Sequence, residues 1–426
     1  MSSAPAPPAL FPKILAPMVR ASTLPLRLLA LSHGADQVYS EEIIDRSISS
    51  TERVINEKLG TVDYVRRKQP SKRQKSKGIN PDVVVFRTSP SLEKNSVVFQ
   101  MGTGDPLLAV AAAKHVEQDV AGIDVNMGCP KKFSLSGGMG AALLGTELAC
   151  NIVRALKAAV SVPVSAKIRM VGAKEEGEEK LRENTVKFMR ELEAAGADSI
   201  TLHCRTKTDS SHEPAAKERW SAKELNELFS CVAVPVYLNG DIYTQADLEY
   251  VKSSTSAAGI MLARPALYDI SIFEGGGGDS DEIMREYLRL CDVYDNHFAN
   301  SKYVVCEFMN MRRHPPAFGL PANKYGKGQT VREVCGTKSL EELCKLWDVE
   351  CSGGGGGGEG EAGGGGRGKG GGEEKEKEKG VLEKVYSDDY FLKEGDAEGG
   401  GGEKEKEGEE DRPKKKAKTV AEEAAQ

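Results

Sequence analysis

The sequence predicts an α/β fold: a (β/α)8 TIM barrel, then a small helical domain and a disordered Gly/Glu/Lys-rich tail. Three observations predict it. Eight short, largely apolar runs recur between Lys13 and Arg264. Helical stretches separate most of them, the pattern of parallel strands joined by crossover helices. Nearly every run also ends in a polar or charged residue, and barrels of this kind gather their chemistry at the C-terminal strand ends. A doubly wound sheet is the competing architecture. Eight such units and the lack of a dinucleotide glycine fingerprint weigh against it.

The strands, in order, are KILAPMV, DQVYSE, SVVFQMG, GIDVNMG, PVSAKIRM, DSITLHC, PVYLNGD and AGIMLAR. Most are continuous apolar runs, as expected for strands buried on both faces. The helices between them are LPLRLLALSHG, LLAVAAAKHVEQ, TELACNIVRALKAAV, ENTVKFMRELEAAG, SAKELNELFS and TQADLEYVKSS. The barrel is placed at residues 13–275. An insertion at about 66–80 interrupts the second unit, with seven basic and no acidic residues between Arg66 and Lys77. Residues 281–350 read as a second, helical domain, because DEIMREYLRLCDVYDNHFANSKYVVCEFMN carries apolar residues at helical spacing. From 352 to 426, glycine and alternating Glu/Lys cannot bury enough apolar area to offset the ordering entropy, so a disordered tail is expected.

The net charge of −6 lies in that tail, which has 20 acidic and 14 basic residues; the remainder has 44 of each. Any nucleic-acid surface must therefore come from local clustering. No run approaches the roughly 18 apolar residues of a membrane span, and the N-terminus lacks the apolar region of a secretory signal. Nine cysteines without CxxC pairs or zinc spacing read as reduced intracellular thiols. The six histidines show no ligand spacing, so no metal site is expected. Localisation is read as cytoplasmic, nuclear or both: RPKKKAK (Arg412–Lys418) has the composition of a nuclear-import segment.

One thiol stands apart. In DVNMGCPKKFSLSGGMGAALLG (Asp124–Gly145), Cys129 follows a strand and is bracketed by Gly128 and Pro130, which turn the backbone. A turn after a strand is a surface position, so the thiol points into a cleft rather than a core. The other strand ends supply Met18, Glu41, Glu42, Gln100, Asn126, Lys167, Arg169, His203, Arg205, Asn239, Asp241 and Arg264. Such a ring is better explained by a polar ligand over the barrel mouth than by chance. Glu41 and Glu42 are read as capping or orienting their neighbours. Gly240 and Arg264, after the seventh and eighth strands, lie where this fold recurrently binds phosphate.

These residues carry a resemblance. LAPMVRASTLPLRLLALSHGAD, VVFQMGT, GIDVNMGCPKKFSLSGGMGAALL, AKIR, LHCR, NGDI and MLARPAL resemble, in order, the flavin-dependent tRNA-dihydrouridine synthases, specifically the eukaryotic branch acting on position 20 of the D-loop. The resemblance implies FMN on the barrel, NADPH or NADH as hydride donor, and a helical domain that helps bind tRNA. Ala16, Pro17 and Met18 would contact the flavin from the first strand. Gln100 and Lys167 would hydrogen-bond its ring, and His203 would contact it too. Asn239, Gly240, Asp241, Ala263 and Arg264 would line the ribityl-phosphate end. Cys129 would be the proton donor. Hydride added at C6 of uridine leaves carbanion character at C5, and an ordinary thiol with pKa about 8.5 is mostly protonated at neutral pH. The uridine must leave its stack to reach such a pocket. Cys204 stands where the family more often has Gly, and nothing in the tail resembles the double-stranded-RNA-binding domain of some relatives. Two alternatives stay open: an FMN barrel oxidoreductase acting on a small molecule, and a non-catalytic tRNA-binding protein. The basic insertion and helical domain argue against the first, the intact Cys129 loop against the second. The oligomeric state and the choice between NADPH and NADH are not legible.

Overall fold

The computed structural model describes residues 11–69, 82–210, 213–310 and 329–351. Most of the basic insertion, the candidate RNA-contacting residues Arg312, Arg313, Lys324 and Lys327, the tail and its RPKKKAK segment therefore lie outside the described residues. Among those described, no helix is long and apolar enough to cross a membrane.

Among the described residues, twelve strands form in chain order: β1 (Lys13–Leu15), β2 (Gln37–Tyr39), β3 (Ile43–Ile44), β4 (Glu52–Asn56), β5 (Thr61–Arg66), β6 (Val83–Thr88), β7 (Val97–Gly102), β8 (Gly122–Met127), β9 (Val164–Arg169), β10 (Ser199–His203), β11 (Val236–Asn239) and β12 (Gly259–Leu262). Eight are parallel and close a barrel in the order β1, β2, β7, β8, β9, β10, β11, β12. Each of the eight expected apolar runs supplies one of these strands. Ile14 of β1 pairs with Met261 of β12, and β2 meets β7 through Val38–Val97 and Tyr39–Val98.

Side-chain alternation sorts each strand. One set of positions, including Phe99, Met101, Ile123, Val125, Ala166, Ile168, Leu202 and Leu238, packs outward into the main core with the helices. The other set forms the barrel interior. It holds a small separate apolar cluster of Ile14, Ala16, Tyr39, Val98 and Met261, with Tyr237 and Ala263 against it. The same parity delivers Gln100, Asp124, Lys167 and Asn239 beside that cluster, joined to one another or to neighbours by hydrogen bonds. Barrel interiors are usually filled by branched apolar side chains; a polar interior is a first mark of function.

The crossover helices match the periodic stretches, for example Pro106–Val116, Glu147–Ala159 and Glu178–Ala194. Between β2 and β7 the chain builds something the hydropathy does not announce: a helix of five residues (Asp45–Ser49) and an antiparallel sheet, β4–β5–β6. Its charges are paired. Arg87 grips Asp63 through two bonds, and Arg53 grips Asp119 the same way. The described start of the basic insertion is also engaged: Arg66 donates to the Ser47 hydroxyl, and Arg67 pairs with Glu52 and Asp82.

The stretch at 281–310 forms two helices, Ser280–Val293 and Phe298–Asn310, with a break at Asp295, whose φ of 47° is left-handed. With Val331–Gly336 and Leu340–Lys345 they pack into the same core as the outer face of the barrel.

One buried ion pair ties the first helix, Leu24–Ser32, to the turn between β6 and β7. Arg27 binds Glu93 bidentately at 2.7 and 2.8 Å and donates to the Ser22 and Arg87 carbonyls, with both side chains at most 2% exposed. Removing one partner leaves the other charge buried and uncompensated. Glu93→Ala is therefore expected to lower unfolding free energy by about 3–5 kcal/mol, read as a fall in the denaturation midpoint. A shift under about 1 kcal/mol would show that water replaces the carboxylate.

Candidate active site

Cys129 stands directly after β8, and its loop is shaped from the backbone outward. The Asn126 side-chain oxygen accepts the amides of Gly128 and Cys129, each at 3.0 Å, which turns the chain at the strand end. The Cys129 carbonyl accepts the Ala141 amide at 3.0 Å, folding the glycine-rich segment back over the thiol. Gly140 makes that possible. Its φ is +58°, and a Cβ there would lie 2.6 Å from the Cys129 carbonyl oxygen. No larger residue fits so close an approach. The thiol is partly exposed and takes part in no disulfide. Cys204, by contrast, is wholly buried, and burial pushes its thiol up to about 12.

Asp124, two residues before Asn126, faces the same interior and is fully buried. It accepts the Gln100 amide nitrogen at 2.8 Å and the Ser165 hydroxyl at 2.7 Å. Burial raises its carboxyl to about 6, opposed by those two bonds and by Lys167. With Nε2 of Gln100 committed to Asp124, Oε1 is the end that faces Asn126, 3.4 Å away. The buried carboxylate thus fixes which end of Gln100 meets a ligand, presenting an acceptor.

Lys167 donates to Oδ1 of Asn239 at 3.0 Å, and the Asn239 amide is held by the Met261 carbonyl at 2.8 Å. Burial, then the charge of Arg169, lowers Lys167 to about 8; Asp124, Cys129 and Glu42 oppose this. The ammonium is thus set among Asp124, Cys129 and Glu42, with Arg169 near. His203 is driven well below the ordinary histidine range by burial and by Lys167, Arg169, Arg205 and Arg264. It is neutral at pH 7. Its Nε2 faces the Arg205 guanidinium at 3.2 Å, so it accepts, which puts the proton on Nδ1.

Asp241, at the end of β11, collects Arg205 at 2.6 Å, the Ala215 amide at 3.0 Å and Arg264 at 3.2 Å. Gly240 before it has φ +127°, and a Cβ there would meet Ala215 at 3.1 Å and the His203 ring at 3.4 Å. Ala16 and Ala263 follow the C-terminal ends of β1 and β12 and belong to, or pack on, the small apolar cluster inside the barrel. Met18 donates its amide to the Ser22 hydroxyl, which in turn donates to the Ala16 carbonyl, fixing the turn that carries Pro17.

The structure thus brings Gln100, Lys167, His203 and Asn239 onto one polar shelf, with Cys129 in electrostatic reach of Lys167 and Arg169. Asp241 and Arg264 form a second group, linked to the shelf through Arg205 and His203. A neutral acceptor, a half-buried ammonium and an excess of guanidinium charge fit a planar heteroaromatic ligand with an anionic tail. No group of three or more His, Cys, Asp or Glu suited to a metal occurs among the described residues. Sequence reasoning named the shelf but missed Asp124. Its signal was present: an acidic residue inside an apolar run, in step with Asn126.

Comparison with known proteins identifies a family. The profile of the family described as "Dihydrouridine synthase (Dus)" matches residues 14–314. The chain is 38% identical over 306 residues to a tRNA-dihydrouridine(20) synthase [NAD(P)+] of Saccharomyces cerevisiae, covering 68% of this chain and 75% of that protein. It is 35% identical over 346 residues to the Schizosaccharomyces pombe protein of the same name, covering 79% of this chain and 64% of that one. A tRNA-dihydrouridine(20a/20b) synthase of S. cerevisiae is 31% identical over 265 residues, 62% of each chain.

Proposed function

The chain belongs to the dihydrouridine synthase family, and from that premise we infer that it reduces a uridine of tRNA to dihydrouridine, at position 20, with electrons from NADPH or NADH. The observation that carries the reading is the placing of a partly exposed thiol, Cys129, beside a shelf of buried Gln100 and half-buried Lys167 and His203. Higher identity to the two position-20 enzymes than to the 20a/20b enzyme supports the position.

FMN is the cofactor that this donor set suits, and when bound it supplies the hydride. Gln100 Oε1 would accept from the ring, and Lys167 would place positive charge where the ring gathers electrons. Neutral His203 would hydrogen-bond without adding charge. Arg264 and the backbone at Gly240 would hold the phosphate, with Ala16, Pro17, Met18 and Ala263 leaving room for the planar body. Asn239 and Asp241 act from below, holding Lys167 and Arg264 in place. Cys129 then delivers a proton to C5 of the flipped uridine. The helices from Ser280 to Lys345 serve the tRNA rather than the chemistry.

The test is direct. Purified protein, NADPH and an unmodified tRNA transcript are incubated, and the product is digested and weighed. A gain of two hydrogens confined to position 20, with a transcript lacking that uridine unchanged, is the expected result. NADPH consumption driven by small enones or orotate but not by tRNA would replace this reading with the small-molecule one.

A further inference from the structure

Glu42 has no role in the scheme above, yet its carboxyl reaches the reacting thiol. The short strand β3 explains how. Ile43 and Ile44 pair with Met101 and Gly102 of β7, which lays the preceding residue over the end of that strand. Gly102 leaves the space: a Cβ there would stand 2.7 Å from Glu42 Oε1 and 2.8 Å from the tip of Ile44. The carboxyl then lies in electrostatic reach of the Cys129 thiol, the Asn126 amide and the Lys167 ammonium, all of which favour its charged form. Its Oε1 is buried and has no hydrogen-bond partner. Adjacent Glu41 is spent otherwise, accepting the backbone amide of Arg20.

An orphaned carboxylate oxygen beside a proton-donating sulfur asks for a purpose. Each turnover breaks the Cys129 S–H bond as the C5–H bond forms, leaving a thiolate under the product. That sulfur must regain a proton before the next uridine, while tRNA still covers the site.

We propose that Glu42 reloads Cys129: its carboxylic O–H breaks as the S–H bond re-forms, and the carboxylate then takes a proton from water. Hydride from NAD(P)H and this solvent proton together account for the two hydrogens added to uridine. The direction is favourable, since a carboxylic acid is the stronger acid of the pair. Burial raises the Glu42 carboxyl above the ordinary range, opposed by Cys129, Asn126 and Lys167, so more of it carries the proton near neutral pH. Cys129 and Lys167 are the titratable groups facing it, and Arg169 adds its charge at the thiol.

The proposal rests on Cys129 as donor, and the experiment separates the two. Glu42→Gln, Gly102→Ala and Cys129→Ala are assayed as flavin-loaded enzymes on tRNA across pH 5.5–9, and thiol alkylation is followed in the same proteins. In the native enzyme, multiple-turnover uridine reduction falls as pH rises through the Glu42 ionisation. Glu42→Gln is expected to lower turnover roughly 10- to 100-fold, less than the loss of the acid that meets the substrate, which costs roughly 10²- to 10⁴-fold, because water still reprotonates the sulfur slowly, and to lose that limb. A single turnover, which uses the proton already on sulfur, stays near native. Alkylation of Cys129 quickens at the alkaline end of that range, where native Glu42 is an anion beside the sulfur. Gly102→Ala, which displaces the carboxyl and moves only flexible side-chain tips, gives the same signature with Glu42 still present. Native multiple-turnover rates and pH profile in both Glu42→Gln and Gly102→Ala overturn the relay. So does equal slowing of single and multiple turnovers with the limb intact, which marks a structural role. Native activity in Cys129→Ala instead removes the donor reading itself.

Discussion

Cys129→Ala keeps its flavin, accepts electrons from NADPH at the native rate, and reduces tRNA uridine roughly 10²- to 10⁴-fold more slowly, the span typical of a lost general acid. The asymmetry follows from where the thiol sits. It stands on the loop after β8, held by Asn126 and Gly140, while the polar shelf is built from β7, β9, β10 and β11. Removing Sγ takes nothing from Gln100, Lys167 or His203. Stopped-flow reduction of the cofactor and dihydrouridine mapping read the two halves separately. Loss of flavin in Cys129→Ala, or near-native product formation, would break the assignment.

Lys167→Met is expected to move binding and stability in opposite directions. Losing a hydrogen bond to a charged partner costs about 1.5–3 kcal/mol, so FMN affinity falls roughly 10- to 100-fold. The apoprotein becomes more stable, because an ammonium no longer has to be buried. The pH dependence gives the sign. Burial lowers Lys167 from the ordinary 10.5 to about 8, so the folded chain holds this proton less tightly than the unfolded one. The penalty is complete below about pH 8 and vanishes as pH rises past about 10.5. The stability gap between variant and native apoprotein should therefore be widest at pH 7 and close toward pH 10.5. Native FMN affinity should weaken above about pH 8, and that limb should be flat in Lys167→Met. Equal affinity for FMN in the two proteins would move Lys167 away from the cofactor.

Much of this site was legible because two periodicities coincide. The eight strands were visible as apolar runs, and Gln100, Lys167, His203 and Asn239 share the parity that faces the interior. The Cys129 loop was legible because glycine and proline punctuate it without ambiguity. The β4–β5–β6 sheet was not. Thr61 to Val65 are all buried, so β5 shows no alternation, while the charges of Asp63 and Arg87 look like solvated loop residues until they are seen paired. Glu42 was hidden for another reason. Two adjacent glutamates follow β2, and only the pairing of β3 with β7 decides which caps Arg20 and which enters the site.

The seam between the first and last barrel strands has a consequence for how the chain is made. Lys13 pairs with Ile260 and Leu15 with Leu262, contacts between residues nearly 250 positions apart. Gly259 brings the backbones so near that a Cβ there would fall 2.5 Å from the Pro12 carbonyl oxygen. Joining such distant segments loses much chain entropy before any contact rewards it. A growing polypeptide therefore carries an open, sticky sheet edge on β1 until residue 262 has emerged. Half-finished chains stopped before that point are candidates for aggregation and for chaperone binding.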